Sequence, residues 1–235
     1  MSKNLTLHRS ILREFGHELG LDSRILDFGC GEGEMVREYR DAGFQAFGAD
    51  IMLDSETELL RRIETGTYRI PFDDGTFDFV FSNGVLEHVQ DLPAALTEIH
   101  RVLRPGGVSL HFTPAKFRLI EPHVFVPLAG LIRNQPWLRL WASFGVRNSF
   151  QRGLNSAEVA RKNYSFLHAH TFYRSKRQLR SAILANFSNL RFANAQIIRY
   201  GYGRARHLSH LIRFFPFVAS AYGTFHNQCL FFEKP

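Results

Sequence analysis

Two cysteines in 235 residues, Cys30 and Cys229, are too few for a disulfide framework and predict a reducing compartment. No run of 18 or more uncharged apolar residues occurs, so no membrane-spanning helix is expected. The first residues carry Lys3, His8, Arg9, Arg13 and Glu14 instead of an apolar stretch, unlike a secretory signal. Together these absences predict a cytoplasmic protein. Acidic residues are scarce in one half only. Up to Thr113 there are 11 Lys and Arg against 19 Asp and Glu; beyond it, 18 face only Glu121, Glu158 and Glu233. Such a split predicts an acidic half for one ligand and a basic half that meets something anionic. A metal set is also missing: His207 and His210 stand one helical turn apart, with no Cys or acid to complete them, so no metal is expected. With 45% hydrophobic residues the chain is globular, and its length suits one domain with an elaborated surface.

What is present reads as strand, helix, strand, helix. Helical spacing covers Leu5–Leu19, Gly33–Ala42 and Leu92–Leu103, the last with Pro93 in its first turn, where the missing N–H costs nothing. Short apolar runs predict strands at Arg24–Phe28, Gln45–Ala49, Thr76–Ser82 and Val108–Phe112, with a short charged helix around Ser55–Ile63. This order implies an α/β fold with a mostly parallel sheet and crossover helices. The second half predicts a helix at Ser175–Phe187, a strand at Leu190–Tyr200, an apolar segment His207–Gly223 interrupted by Pro216, and a last strand at Asn227–Glu233.

Chemistry concentrates at Ile25-Leu26-Asp27-Phe28-Gly29-Cys30-Gly31-Glu32-Gly33. Glycines at a strand-to-helix turn let backbone approach a ligand closely. Asp27 ahead of them would repel a pyrophosphate and suit a cationic group. Asp50 ends the next strand, where a carboxylate can accept both hydroxyls of a ribose. An acid-lined pocket with a ribose acceptor fits adenosine carrying a positive amino-acid tail.

Four blocks, ILDFGCGEGE (25–34), GADI (48–51), IPFDDGTFDFVFSNGVLEHV (70–89) and EIHRVLRPGGVSLHFTP (98–114), resemble the class I S-adenosylmethionine-dependent methyltransferases of the type-11 group, in order and approximate spacing. The resemblance implies a Rossmann-like sheet of seven strands with helices on both faces, the last strand antiparallel. It implies a cofactor-binding core over 1–113, a helical substrate-side insertion or lid over about 114–180, and C-terminal strands with a basic aromatic segment over 181–235. S-adenosyl-L-methionine is the implied cofactor. Asp27, Gly29 and Gly31 would line its methionine portion with Phe28 alongside, Asp50 would hold the ribose, and Ile51 would flank the adenine. Ser82, Asn83 and His88 would lie beside it. The stretch from Asp50 to Pro71 is short for the family, which implies a trimmed helix and strand. Gly66 stands where the family often has an adenine-contacting acid, and Tyr68 is the residue that could replace it by stacking.

Methyl transfer from a sulfonium is an in-line displacement that depends on alignment. A hydroxyl acceptor also needs its proton removed. Glu121-Pro122-His123 follows the strand ending at Thr113-Pro114, which makes His123 the first candidate base, with His88 the second and Glu121 as orienting partner. His168, His170 and Tyr173 form a second polar-aromatic group. Pro127–Arg147 combines arginines with Trp, Leu and Phe, Arg204–Tyr222 combines them with Leu, Ile and Phe, and neither has an acid, a composition suited to an anionic membrane surface or an anionic acceptor. The Glu-Pro-His insertion resembles that of enzymes of bacterial surface-glycan assembly, which implies O-methylation of a small-molecule, glycan or lipid-linked acceptor. Nucleic acid is disfavoured as a partner, because Ser82-Asn83-Gly84-Val85 departs from the Asn/Asp-Pro-Pro-aromatic motif of base-methylating relatives. A non-catalytic cofactor-binding scaffold is the remaining alternative.

Overall fold

The structure is a computed structural model that describes residues 3–201 and 207–235. A seven-stranded sheet runs in the order β3-β2-β1-β4-β5-β7-β6. Its strands are β1 (Arg24–Phe28), β2 (Gln45–Asp50), β3 (Leu60–Arg62), β4 (Phe77–Asn83), β5 (Leu103–Pro114), β6 (Ser188–Phe192) and β7 (Asn227–Glu233). The pairs from β3 to β5 are parallel, and β7 runs antiparallel to both of its neighbours.

The two-residue period of the strands divides the core. On one face Leu26, Val80, Leu230 and Phe232 pack with α3 (Leu92–Val102) and α6 (Lys176–Ile183). On the other, Ile25, Phe79, Phe81 and Phe231 pack with α1 (Lys3–Glu14), α2 (Glu34–Asp41) and α7 (Asn194–Tyr200). The α3 helix starts where the Asp91 side chain accepts from Ala94 N. Between β5 and α6, α4 (Gln135–Ser143) and α5 (Ser156–His170) close a separate small core around Val126, Leu138, Ala160 and Leu167. The remaining described helices, α8 (Ser209–Phe214) and α9 (Phe217–Phe225), flank Pro216.

Three expectations are corrected. No helix forms over 55–63: Glu56 accepts from Arg62 N, and Thr57 accepts from both Leu59 N and Leu60 N. These local side-chain bonds satisfy the amides that a helix would use, and the segment becomes an irregular loop leading to β3. The strand expected through Tyr200 stops at Phe192. Asn194 then accepts from Cys229 N, and Ile197 and Ile198 bury themselves from a helix rather than from a strand. The first helix ends at Glu14, five residues before Leu19. Of the basic C-terminal segment, Arg204 and Arg206 lie outside the described residues. No helix among the described residues is long and apolar enough to cross a membrane.

The basic half uses much of its charge internally. Arg174 donates to four carbonyls, those of Leu86, Phe172, Val89 and Gln90. Arg133 reaches the carbonyls of Leu167 and Thr171, and Lys234 those of His100 and Leu103. Cations that brace several carbonyls need no acidic partner, which gives one physical reason why acids are sparse here.

Candidate functional site

Strand order reverses between β1 and β4, and a cleft of about 360 Å³ opens there at the C-terminal ends of the parallel strands. Phe28, Gly29, Asp50, Ile51, Tyr68, Asn83 and His88 line it, together with Met52, Ile63, Thr65, Gly66 and Val85. Gly29 has φ +80°, and a Cβ there would stand 2.4 Å from Val85 Cγ2, so only glycine lets this wall close.

The other expected residues lie outside the lining. Asp27 is 4% exposed beneath the glycine turn. Burial, and then the charge of Asp50, push its carboxyl up to about 8. Gly31 contributes its amide to Asp50 Oδ2 at 2.8 Å, while Asp50 Oδ1 accepts from Met52 N at 2.8 Å. Each Asp50 oxygen keeps a lone pair for a ligand hydroxyl. Ser82 is a correction. It is fully buried and bonded to His111 at 2.7 Å, on the opposite pleat from Asn83, so it does not reach the cleft.

Asp50, beside a buried carboxyl whose ionisation it opposes, makes a poor home for phosphate and a good one for a positive ligand that would relieve that opposition. The wall that would meet an adenine carries Thr65, Gly66 and Tyr68 and no acid. The Tyr68 hydroxyl accepts from Gln90 N and Asp91 N at 3.1 and 3.2 Å, which fixes its ring against the cleft. These features fit an adenosine with a cationic tail.

At the cleft mouth the chain brings together residues from three segments. After β4, Gly84 (φ +70°) turns the backbone so that Glu87 points inward and His88 outward. His88 Nδ1 donates to the His170 carbonyl at 2.5 Å, and its Nε2 lies 3.1 Å from His123 Nε2. His123 Nδ1 lies 2.7 Å from Glu121 Oε1. Glu121 is 1% exposed and also accepts from the amides of His123 and Val124 and, at 2.5 Å, from the Tyr173 hydroxyl. Burial pushes its carboxyl up, but the bonds from His123, Tyr173 and Val124 outweigh this and hold it below the ordinary value. Tyr173 is displaced the other way, upward, by burial and by Glu121.

Thus His88, His123, Glu121 and Tyr173 meet, and His170 joins through its carbonyl. His168 does not; it bonds to Tyr164 O within its own helix. Sequence reasoning passed over Glu87, 3% exposed and hydrogen-bonded from Thr113 Oγ1 at 3.0 Å, with its carboxyl pushed up by burial. Its signal was the acid beside His88 just after a turn glycine. Arg174, which ties the 86–90 turn to the insertion, left no comparable mark.

Comparison with known proteins agrees with this geometry. A family profile described as a methyltransferase domain matches residues 4–182. Malonyl-[acyl-carrier protein] O-methyltransferases are 35% identical over 105 residues in Pseudescherichia vulneris and 39% over 108 in Serratia marcescens. Those matches span 42% of this chain and 42% and 41% of the relatives, so the alignment takes in about two-fifths of each. Among solved structures, an S-adenosylmethionine-dependent methyltransferase from Mesorhizobium loti superposes with a TM-score of 0.55 at 14% identity, covering 99% of this chain and 100% of that one. Phosphoethanolamine N-methyltransferase 2 of Haemonchus contortus gives 0.52 at 15%, covering 98% and 52%.

Proposed function

The chain belongs to the class I S-adenosylmethionine-dependent methyltransferases, and from that premise we propose that it methylates an oxygen of a small-molecule, glycan or lipid-linked acceptor bound at the His88–His123 mouth. The observation that carries this reading is the fixed imidazole pair. Both Nδ1 atoms are held by oxygen acceptors, so the Nε2 side is what the pair offers to an incoming hydroxyl.

S-adenosyl-L-methionine supplies a methyl group on a cationic sulfur that departs as a neutral thioether. The chain's own residues position it. In this reading Asp50 accepts the ribose hydroxyls, Asp27 and the Gly29–Gly31 turn face the charged tail, and Ile51, Tyr68 and Phe28 give the ring system an apolar bed. Asn83 contributes its polar group at the end of β4. Alignment within this cleft supplies much of the acceleration. His123 takes the acceptor proton on Nε2, and ionised Glu121 at Nδ1 stabilises the resulting imidazolium. His88, itself oriented by the His170 carbonyl, holds the same proton in a shared hydrogen bond. The names of the similar O-methyltransferases support an oxygen acceptor. No observation raises nucleic acid above this.

The test is a cell extract incubated with the protein and methyl-tritiated S-adenosylmethionine, separated into small-molecule, glycan, lipid and nucleic-acid fractions. Label should enter one of the first three in base-labile or ether form, and His123→Ala should slow it by about 100-fold or more. Label confined to nucleic acid, or normal turnover in His123→Ala, would overturn the proposal.

A further inference from the structure

We infer that Glu87, His88 and His123 form a binding site for one divalent transition-metal cation of the Zn2+ type, at the mouth of the cleft. The role given to the cation rests on the reading of this mouth as an oxygen-methylating site; its binding does not.

The first argument is a count of protons. His88 Nδ1 sits 2.5 Å from a main-chain carbonyl, which can only accept, so that nitrogen carries a hydrogen. His123 Nδ1 faces Glu121 Oε1 at 2.7 Å. That carboxylate already draws two amides and a phenol, so this Nδ1 carries a hydrogen too. In the neutral rings both Nε2 atoms then present lone pairs to each other across 3.1 Å. Such a pair repels unless something positive stands between the nitrogens. A proton is one solution, and a metal ion is the other.

Distance admits the second as well as the first. Two imidazole nitrogens about 2.05 Å from one tetrahedral zinc stand roughly 3.3 Å apart. The separation here is 3.1 Å, so the two nitrogens need part by only a few tenths of an ångström to share one ion. A third ligand is at hand, since one donor atom each from Glu87, His88 and His123 falls within 4.8 Å of the others. Glu87 is buried and oriented by Thr113 Oγ1, and its carboxylate would swing toward the imidazoles to complete the set. Two imidazoles and one carboxylate with a fourth position open is a catalytic zinc donor set, and the nitrogen ligands select against Mg2+ and Ca2+.

The surroundings are those of a metal centre. Each histidine gives its remote N–H to an oxygen, His123 to Glu121 and His88 to the His170 carbonyl, and Tyr173 in turn fixes Glu121. Glu87 and Glu121 together bring two carboxylates to one dication. His88 lines the cleft, so the site stands at its edge. A hydroxyl oxygen bound there would release its proton to water more readily, and the cation would do by charge what an imidazole does by proton transfer.

The test uses metal alone. Protein stripped with a chelator and dialysed free of it is titrated with Zn2+ by calorimetry and with Co2+ by visible absorption. One equivalent should bind, with Co2+ ligand-field bands of a four- or five-coordinate nitrogen–oxygen site. Outer partners of metal ligands are worth 10–100-fold in affinity. Removal of a ligand by His88→Ala or His123→Ala should therefore weaken binding by at least about 100-fold, Glu87→Gln by about 10-fold or more, and Tyr173→Phe by about 10-fold with the stoichiometry kept. S-adenosylmethionine binding by His123→Ala, which is outside the cleft lining, confirms that this variant is folded. Absence of stoichiometric Zn2+ and Co2+ binding to the stripped protein, or equal binding by the histidine variants, would overturn the inference. Full methyl transfer by stripped, non-binding protein would remove the cation and leave the proton-acceptor reading standing. Unimpaired transfer in His123→Ala would sink that reading instead.

Discussion

Asp27 should make the protein less stable as pH rises, and Asp27→Asn should abolish that loss. Its carboxyl is 4% exposed and lifted from 3.8 to about 8 by burial and by Asp50. The folded state therefore keeps a proton that the unfolded chain gives up above about pH 4. Stability from this group is whole below the unfolded value, declines as pH climbs from about 4, and is gone above about 8. The gap corresponds to at most about 6 kcal/mol. Because the surroundings of a buried carboxyl relax when it ionises, about 3 kcal/mol is the more realistic size. An asparagine keeps the shape and never ionises. Urea unfolding of both proteins at pH 5 and pH 9 isolates the term, since His8 and His111, both held near 3 by burial, act alike in each. Relative to the two proteins' difference below pH 4, the variant should already gain about 1.5 kcal/mol on the wild type at pH 5 and about 3 kcal/mol at pH 9. A stability difference that changes by less than about 1 kcal/mol between the two pH values would refute the argument. The variant should also bind S-adenosylmethionine more weakly.

Three further outcomes follow from single contacts. Asp50→Ala removes the proposed ribose acceptor and should lower S-adenosylmethionine affinity by about 10–100-fold in calorimetry, the worth of hydrogen bonds to a charged group; unchanged affinity would reject the assignment. Gly29→Ala meets Val85 Cγ2 at 2.4 Å with φ at +80°, and should cost about 3 kcal/mol in urea unfolding. Glu121→Ala strands two amides, a phenol and an imidazole N–H in a site 1% exposed. It should cost about 4 kcal/mol, lowering Tm by roughly 10 °C in a chain of this length; a Tm within 2 °C of the wild type would deny the network its structural weight.

Much of the parallel half of the fold was legible because β1, β2 and β4 are short apolar runs closed by glycine or by Asp50, and α2 and α3 show their own period. The losses have local causes. Over 55–63 charged residues mimic a helix, but Glu56 and Thr57 spend their side chains on nearby amides. Over 190–200 an apolar stretch carries no mark for the change of period at Ala193, which depends on Cys229 O accepting that residue's amide from the far strand. The resemblance implied both Ser82 and Asn83 beside the cofactor, although neighbours in a strand face opposite ways. The glycine turn and Asp50 could be read because spacing alone places them; Glu87 could not, because its meaning depends on Thr113 and His123 arriving from other segments.

The mouth of the cleft shows how this chain divides its labour. The turn 84–90 belongs to the cofactor side of the sheet, yet it is held from the insertion side. Phe172 N donates to Glu87 O at 2.6 Å, the His170 carbonyl receives His88, and Arg174 gathers the carbonyls of Leu86, Val89 and Gln90. One short strap, residues 170–174, thus sets the orientation of His88 and carries Tyr173 to Glu121 and so to His123. Because α5 delivers that strap from the small core built on Leu138, Ala160 and Leu167, any change in how the insertion packs must move both imidazoles together. In the proposed reading this joins acceptor choice to acceptor activation mechanically, while Asp50 and the glycine turn, anchored on β1 and β2, stay outside that linkage.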